Sequence, residues 1–229
     1  MLHGFTGNPI SMRPLAEAFA ASGFSVELPR LPGHGTALED MIPTRWSDWL
    51  AHALSTYDAL AARVDKVVVA GLSMGGTLTA TIGVERPSTA GLVLINAALE
   101  PMADEFRDLL RQMAEASDQM AAIGDDIAKP GVTEGGYDGT PLLALLSMAE
   151  AGDVLAPRLG ELAMPCLLLN SPQDHVVPPS AADYFVAHAT TQIERVTLER
   201  SFHVATLDYD AELIETSAVA FAKRVCGLS

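Results

Sequence analysis

Short apolar runs alternate with longer segments of helical periodicity along most of the chain. Apolar runs rich in β-branched residues and leucine predict buried strands at residues 24–28, 66–70, 91–96, 166–170 and 193–198. Apolar positions spaced three and four residues apart predict helices at 12–21, 46–63, 74–85, 181–188 and 211–224. Alternation at this spacing predicts an α/β fold, with a mostly parallel central sheet covered by helices on both faces.

Residues 99–162 interrupt this alternation and predict a helical lid inserted between two parts of one core, 1–98 and 163–229. The segment contains apolar helical stretches at 102–120 and 141–151, joined by a glycine-rich loop at 131–139. It follows the strand ending at Asn96, so we expect it to cover that edge of the sheet. Four methionines suit either an adaptable apolar pocket or the core of the insertion itself: Met102, Met113, Met120 and Met148.

Charge is unusually negative for a chain of 229 residues, at −15, which argues against nucleic acid as a partner. The insertion alone has 13 acidic and 4 basic residues. This balance also disfavours polyanionic substrates, although salt screens exposed charges over about 8 Å.

The apolar runs and the cysteines indicate in which cellular compartment the protein is expected. No run of about 18 apolar residues indicates a membrane span, and the first residues lack the pattern of a signal peptide. The two cysteines, Cys166 and Cys226, suggest neither a disulfide framework nor a metal cluster. A reduced, cytoplasmic setting is the simplest expectation.

The segment Gly71-Leu72-Ser73-Met74-Gly75-Gly76 carries the strongest chemical signal. It lies between a predicted strand and a predicted helix, where Gly-x-Ser-x-Gly forms a sharp turn that exposes the serine hydroxyl. Small residues are needed there because strand and helix pass close together. Ser73 is therefore the candidate nucleophile, and the alternative is a glycine-rich turn with an inert serine.

A serine nucleophile needs an imidazole base and a carboxylate that orients it. Of six histidines, only His203 lies in the loop between the last predicted strand and the last helix. Asp174, which is 29 residues earlier, follows the preceding strand, so both are expected at adjacent strand ends. The competing acid is Asp208, for which we favour a role at the start of the last helix.

The oxyanion of a tetrahedral intermediate needs two fixed donors. The residue after the nucleophile, Met74, is expected to supply one backbone N–H. The second is expected from the early loop His3-Gly4-Phe5-Thr6-Gly7, which is otherwise an ordinary turn.

These motifs together resemble the α/β-hydrolase superfamily. More narrowly, the chain resembles the bacterial carboxylesterase and monoacylglycerol lipase group. The matching segments occur in the same order as in that group: those around Phe5, Pro32-Gly33-His34-Gly35, and those around Ser73, Asp174 and His203. The resemblance implies a triad of Ser73, Asp174 and His203, oxyanion donors at the Phe5 and Met74 N–H groups, and ester hydrolysis through an acyl-serine. It implies a structural role for His34, and neither a metal nor an organic cofactor.

The sequence thus predicts a serine hydrolase of small, uncharged carboxylic esters, with short to medium acyl chains or monoacylglycerols as candidates. Two alternatives stay open: cleavage of a lactone, thioester, amide or carbon–carbon bond by the same triad, and a ligand-binding module with little turnover. In the resembled group a full apolar strand precedes the His-Gly loop, whereas here only Met1 and Leu2 do. Either the chain starts late, through truncation or a misassigned start, or neighbouring elements close around a missing strand. The second arrangement would leave backbone hydrogen-bonding groups unpaired in the core, so a late start is expected.

Overall fold

The computed structural model describes residues 1–122 and 124–228, and the central sheet has four parallel strands. Including a separate pair, the described residues form the strands β1 (Val68–Leu72), β2 (Gly91–Ile95), β3 (Gln119–Ala121), β4 (Gly139–Pro141), β5 (Cys166–Asn170) and β6 (Ile193–Thr197). The sheet has the order β1-β2-β5-β6, and β3 pairs separately with β4. Ala70, Val93, Leu167 and Glu194 align across the four strands, so their carboxyl ends lie along one edge.

Helices cover both faces of this sheet. They are α1 (Arg13–Ala21), α2 (Leu38–Met41), α3 (Trp46–Ala61), α4 (Met74–Glu85), α5 (Asp104–Ala116), α6 (Leu142–Leu155), α7 (Ser180–His188) and α8 (Ala211–Cys226). Short 3₁₀ turns lie at Pro9–Met12, Ala156–Glu161 and Ala205–Leu207. None of the helices among the described residues is long and apolar enough to cross a bilayer.

The two-residue period of the strands divides the core into two layers. Leu92 and Leu94 of β2 face a cluster that includes Trp49 of α3 and Leu78 of α4. The intervening Val93 and Ile95 face the opposite cluster, which contains side chains of α1 and α8: Leu15, Phe19, Ile214 and Phe221. Because both faces of the sheet are covered, β2 is buried at every position and carries no polar side chain.

The α/β fold with a parallel sheet is confirmed, and the strand predicted at residues 24–28 is wrong. Phe24, Val26 and Leu28 pack against the α1 and α8 layer, but the segment forms no ladder. Beside it, Met1 donates its amine to the Glu27 carbonyl, and Leu2 forms a single bridge to Gly71 of β1. Met1 and Leu2 alone do not offer residues 24–28 the repeated main-chain hydrogen bonds that a strand requires.

Residues 99–162, the segment that the sequence predicts to be an insertion, contain a small apolar cluster of Leu110, Leu142, Leu145 and Leu146. The helix predicted at 102–120 ends at Ala116, because the chain turns into the β3–β4 hairpin, which the sequence analysis missed. Strands of three residues are too short for a periodic signal. Ile123, inside this segment, lies outside the described residues.

Candidate active site

Ser73 occupies a sharp turn between β1 and α4. Its backbone has φ 56° and ψ −119°, a region that residues with a side chain rarely adopt. A Cβ at Gly71 would lie 2.0 Å from the Gly75 carbonyl oxygen, and one at Gly75 would lie 2.2 Å from the Leu2 carbonyl oxygen. Glycine is therefore required on both sides, and the turn holds the serine at the carboxyl end of β1.

Asp174 and His203 form a buried pair at the same edge of the sheet. Asp174 Oδ2 lies 2.8 Å from His203 Nδ1, and the two side chains are 2% and 9% exposed. The other carboxylate oxygen accepts the backbone N–H groups of Val176 and Val177, both at 2.8 Å. The carboxylate is thus fixed by three hydrogen bonds, and it orients the imidazole with Nε2 free for chemistry.

Asn96, at the end of β2, joins the loops that carry this pair. Its amide nitrogen donates to the His203 carbonyl at 2.8 Å and to Ser171 Oγ at 3.0 Å, and its amide oxygen accepts the Ser171 N–H at 2.8 Å. The residue is buried and has a positive φ of 42°. Asn96 therefore sets the spacing between the strand end before Asp174 and the loop of His203.

Two backbone N–H groups lie near the serine. Met74 is the first residue of α4, where an N–H has no partner within the helix. Gly4, which precedes Phe5, packs against Ser73, since a Cβ placed on it would lie 3.5 Å from the serine Cβ. Phe5 N–H takes part in none of the main-chain hydrogen bonds found among residues 1–122 and 124–228. Neither N–H group has a main-chain partner in the part of the chain that the structure describes, so both are available as donors.

The loop of Phe5 rests on two buried histidines. His3 donates from Nδ1 to the Gly4 carbonyl at 2.9 Å and accepts the Leu31 N–H at Nε2, 3.2 Å away. The His34 ring packs edge-on against His3 and Trp49, with centroids 5.0 and 5.3 Å apart. Burial lowers the pKa of His3 to about 3 and that of His34 to about 4, so both rings are neutral supports.

Ser73 and His203 both line a cavity of about 960 Å³, at the upper end of the range for ligand pockets. Residues 99–162 supply much of its wall, including Met102, Met120 and Met148. All four methionines of this segment pack against its apolar cluster, so these three serve both the cavity and the cluster, and Met113 serves the cluster alone. A second cavity, of about 430 Å³, lies beside residues 24–29 and is lined by none of the predicted site residues.

Glu134 places a carboxyl group on the wall of the larger cavity. Its side chain lies against Gly7, since a Cβ there would be 2.9 Å from Glu134 Oε2. Asn8 Nδ2 donates to the Glu134 carbonyl at 2.8 Å and so fixes the backbone. Burial raises the pKa of Glu134 to about 7, and the charge of His203 partly opposes this rise.

The structure brings Ser73, Asp174, His203, Phe5 and Met74 to one edge of the sheet. Three other histidines are exposed: His52, His175 and His188. The interpretation of Asp208 as a group at the start of the last helix is wrong. Its carboxylate accepts the backbone N–H groups of Ala128, Lys129, Phe202 and Tyr209.

Sequence reasoning missed Glu134 and Asn96. Glu134 lies in the glycine-rich loop at 131–139, which was interpreted as a connector between helices. Asn96 was the end of a predicted strand, and a polar residue at that edge was the available signal. No group of three or more His, Cys, Asp or Glu side chains in the described ranges is arranged to hold a metal ion.

Comparison with known proteins relates the chain to hydrolases. Residues 1–216 match the model of the alpha/beta hydrolase family. The chain is 44% identical over 225 residues to a thermostable monoacylglycerol lipase of Bacillus sp. strain H-257, covering 97% of this chain and 89% of that protein. It is 23% identical to a carboxylesterase of Bacillus subtilis strain 168, covering 98% of this chain and 92% of that protein.

Solved structures agree in fold. One from work on two metagenome-derived lipolytic enzymes superposes with a TM-score of 0.92 at 39% identity, covering 97% of this chain and 91% of that one. The monoacylglycerol lipase of Paleococcus ferrophilus gives a TM-score of 0.78 at 16% identity, covering 98% and 93%. At that lower identity the likeness concerns the fold alone.

Proposed function

This chain belongs to the alpha/beta hydrolase family and hydrolyses carboxylic esters, and we propose that Ser73, Asp174 and His203 are its catalytic triad. The observation that carries the proposal is the buried 2.8 Å contact between Asp174 and His203. His203 lines the same cavity as Ser73, whose backbone is strained. An imidazole oriented in this way accepts the serine proton, which a free hydroxyl does not release readily.

The proposed reaction has two halves. Ser73 Oγ attacks the ester carbonyl while His203 Nε2 takes its proton, and the Phe5 and Met74 N–H groups bind the resulting oxyanion. Collapse breaks the bond to the alcohol, which leaves with the proton from His203. Water then attacks the acyl-serine, again with His203 as base, and releases the acid and the free serine.

We propose that residues 99–162 act as a lid over this site. Their side chains line the cavity beside Ser73, and they pack around an apolar cluster of their own. Apolar wall residues such as Met102, Leu145 and Met148 suit an acyl chain of short to medium length.

The carboxyl group of Glu134 favours an ester whose alcohol part is uncharged and carries further hydroxyl groups. A carboxyl group in a largely apolar cavity gains from a hydroxyl that hydrogen-bonds to it, and it disfavours an anionic group. Glycerol esters present such hydroxyls beside the scissile bond. A monoacylglycerol is therefore the substrate that we propose.

Hydrolysis of an ester series by wild type and Ser73→Ala tests the triad. We expect the variant to lose at least about 10⁴-fold in kcat, because the remaining site retains only oxyanion binding. A fluorophosphonate probe should label wild type and not the variant. Comparable turnover by both proteins would remove Ser73 from the mechanism.

Glu134→Leu tests the choice of alcohol. With a monoacylglycerol, KM should rise about 10-fold, the cost of one lost hydrogen bond to a buried charged or polar partner. With the ethyl ester of the same acid as matched control, KM should stay within about twofold. An equal rise in KM for both esters would mean that Glu134 does not contact the alcohol part of the substrate.

We also propose that the protein works in the cytoplasm. Its two cysteines are both free, Cys166 in the core and Cys226 partly exposed. Such thiols persist in a reducing compartment. Recovery of the protein mainly from a secreted fraction would contradict this location.

A further inference from the structure

Asp126 makes an unusual set of contacts at the boundary between the insertion and the triad loops. One carboxylate oxygen, Oδ2, accepts two backbone N–H groups, from His175 and from His203, each at 3.1 Å. The Asp126 carbonyl also accepts the Val204 N–H at 3.0 Å. The Asp126 side chain is only 13% exposed, so its carboxylate is largely shielded from solvent.

The two loops joined in this way are those that carry the triad acid and base. His175 directly follows Asp174, and the second bond goes to His203 itself. A hydrogen bond between an imidazole and a carboxylate depends on the relative position of both backbones. Asp126 therefore fixes the distance across which Asp174 and His203 meet.

The segment that carries Asp126 is itself anchored. Asp208 accepts the N–H groups of Ala128 and Lys129, and its Oδ2 also accepts the Phe202 N–H at 2.9 Å. On the opposite side, Asn96 holds the His203 carbonyl. The peptide groups of His203 are thus bonded from the core by Asn96 and from the insertion by Asp126.

From these contacts we infer that Asp126 is a positioning residue, by which the insertion holds the Asp174–His203 pair in its productive geometry. The residue touches no reacting atom and acts through the backbones of its two partners. The inference rests on the proposed function, since it gives Asp174 and His203 their triad roles.

Side-chain replacement separates this role from that of a general structural contact. Asp126→Ala removes the bridge, and we expect kcat to fall about 10- to 100-fold, because small displacements of catalytic groups carry penalties of that size. KM should change less than about twofold, since Asp126 does not line the cavity. Asp126→Asn should restore kcat to within about threefold of wild type, because its amide oxygen can accept both N–H groups.

Two further variants serve as controls. Asp118→Ala removes an exposed carboxylate of the same insertion and should leave kcat unchanged. His175→Ala removes the ring that contacts Asp126 Oδ1 at 2.8 Å but keeps the backbone N–H, and should retain most activity. A loss in His175→Ala equal to that in Asp126→Ala would assign the effect to the imidazole and overturn the inference.

Failure of the Asp126 inference can be distinguished from failure of the proposed triad. Ser73→Ala is measured in parallel: turnover by that variant would overturn the triad, whereas an inactive Ser73→Ala beside a fully active Asp126→Ala would overturn only this inference. If Asp126→Ala does not fold, Asp126→Asn and Asp126→Ser provide the comparison. The serine variant should lose kcat and weaken the downfield proton signal of the Asp174–His203 bond, and an unchanged signal and rate would contradict the bridge.

Discussion

His3 and His34, buried beneath the loop of Phe5, make the stability of this protein sensitive to acid. Their pKa values fall to about 3 and about 4 in the fold, chiefly because burial disfavours the charged imidazole. In the unfolded chain both titrate near the ordinary value of about 6.5. Below that pH the unfolded state binds more protons than the native state, so stability decreases as pH falls toward 4.

His34→Gln should reduce this dependence. The variant loses one of the two imidazoles that take up a proton on unfolding, so the slope of unfolding free energy against pH should fall by about one proton between pH 6.5 and 4. Urea unfolding across that range measures both slopes. An exposed histidine, His52→Gln, is the control and should leave the slope unchanged. Equal slopes for His34→Gln and wild type would show that His34 is not the group responsible.

Among the elements, α5 and α6 share an apolar cluster and are also linked by one arginine. Arg107 is buried, and its guanidinium reaches both oxygens of Asp153 on α6, at 2.6 and 2.9 Å. It also donates to the Met102 carbonyl at 2.9 Å. A partly buried, two-point contact of this kind is worth more than an exposed ion pair.

Arg107→Met keeps the bulk of the side chain and removes these bonds. We expect a loss of about 1 to 3 kcal/mol in the stability of the insertion, because the Met102 carbonyl and Asp153 lose their donor. Limited proteolysis should then cut within residues 99–162 earlier than in wild type. Arg111→Met breaks an exposed pair with Asp108 and should have almost no effect. Matching cleavage rates in the two variants would contradict the anchoring role.

At this scale, the regular part of the fold could be predicted from the sequence. Strands buried on both faces and helices of three or more turns have clear periodicities, so α4 and β5 were predicted with the bounds that the structure gives. The segment at 24–28 has the composition of a strand but no partner, and pairing is not a property of one segment. The roles of Asp126 and Glu134 could not be predicted from the sequence, because their contacts join residues far apart in the chain.

At the scale of the whole molecule, negative charge is concentrated beside the cavity. The insertion carries 13 of the 29 acidic residues of the chain and lines one side of the cavity. Its field should repel anionic surfaces and leave neutral ones unaffected. Screening by salt weakens such a field within about 10 Å.

Ester presented in anionic phosphatidylglycerol vesicles should therefore be hydrolysed faster as salt rises from about 10 mM to about 300 mM, over which the Debye length shortens several-fold. The same ester in neutral phosphatidylcholine vesicles is the control, and its rate should change little. Initial rates of acid release measure both. A fall in rate with salt on anionic vesicles would contradict repulsion by the insertion.

Three residues with side chains have a left-handed backbone around the site: Thr6, Ser73 and Asn96. Each such conformation costs on the order of 1 to 3 kcal/mol, which the rest of the fold supplies. Glycine would relieve this cost at Ser73 but would delete the nucleophile, and at Asn96 it would release the loop of His203. At Asn96 the lost hydrogen bonds would offset the relief, so a laboratory selection for heat resistance alone would favour an inactive protein at Ser73 in particular. Engineering a more durable enzyme should begin away from the sheet edge that does the chemistry.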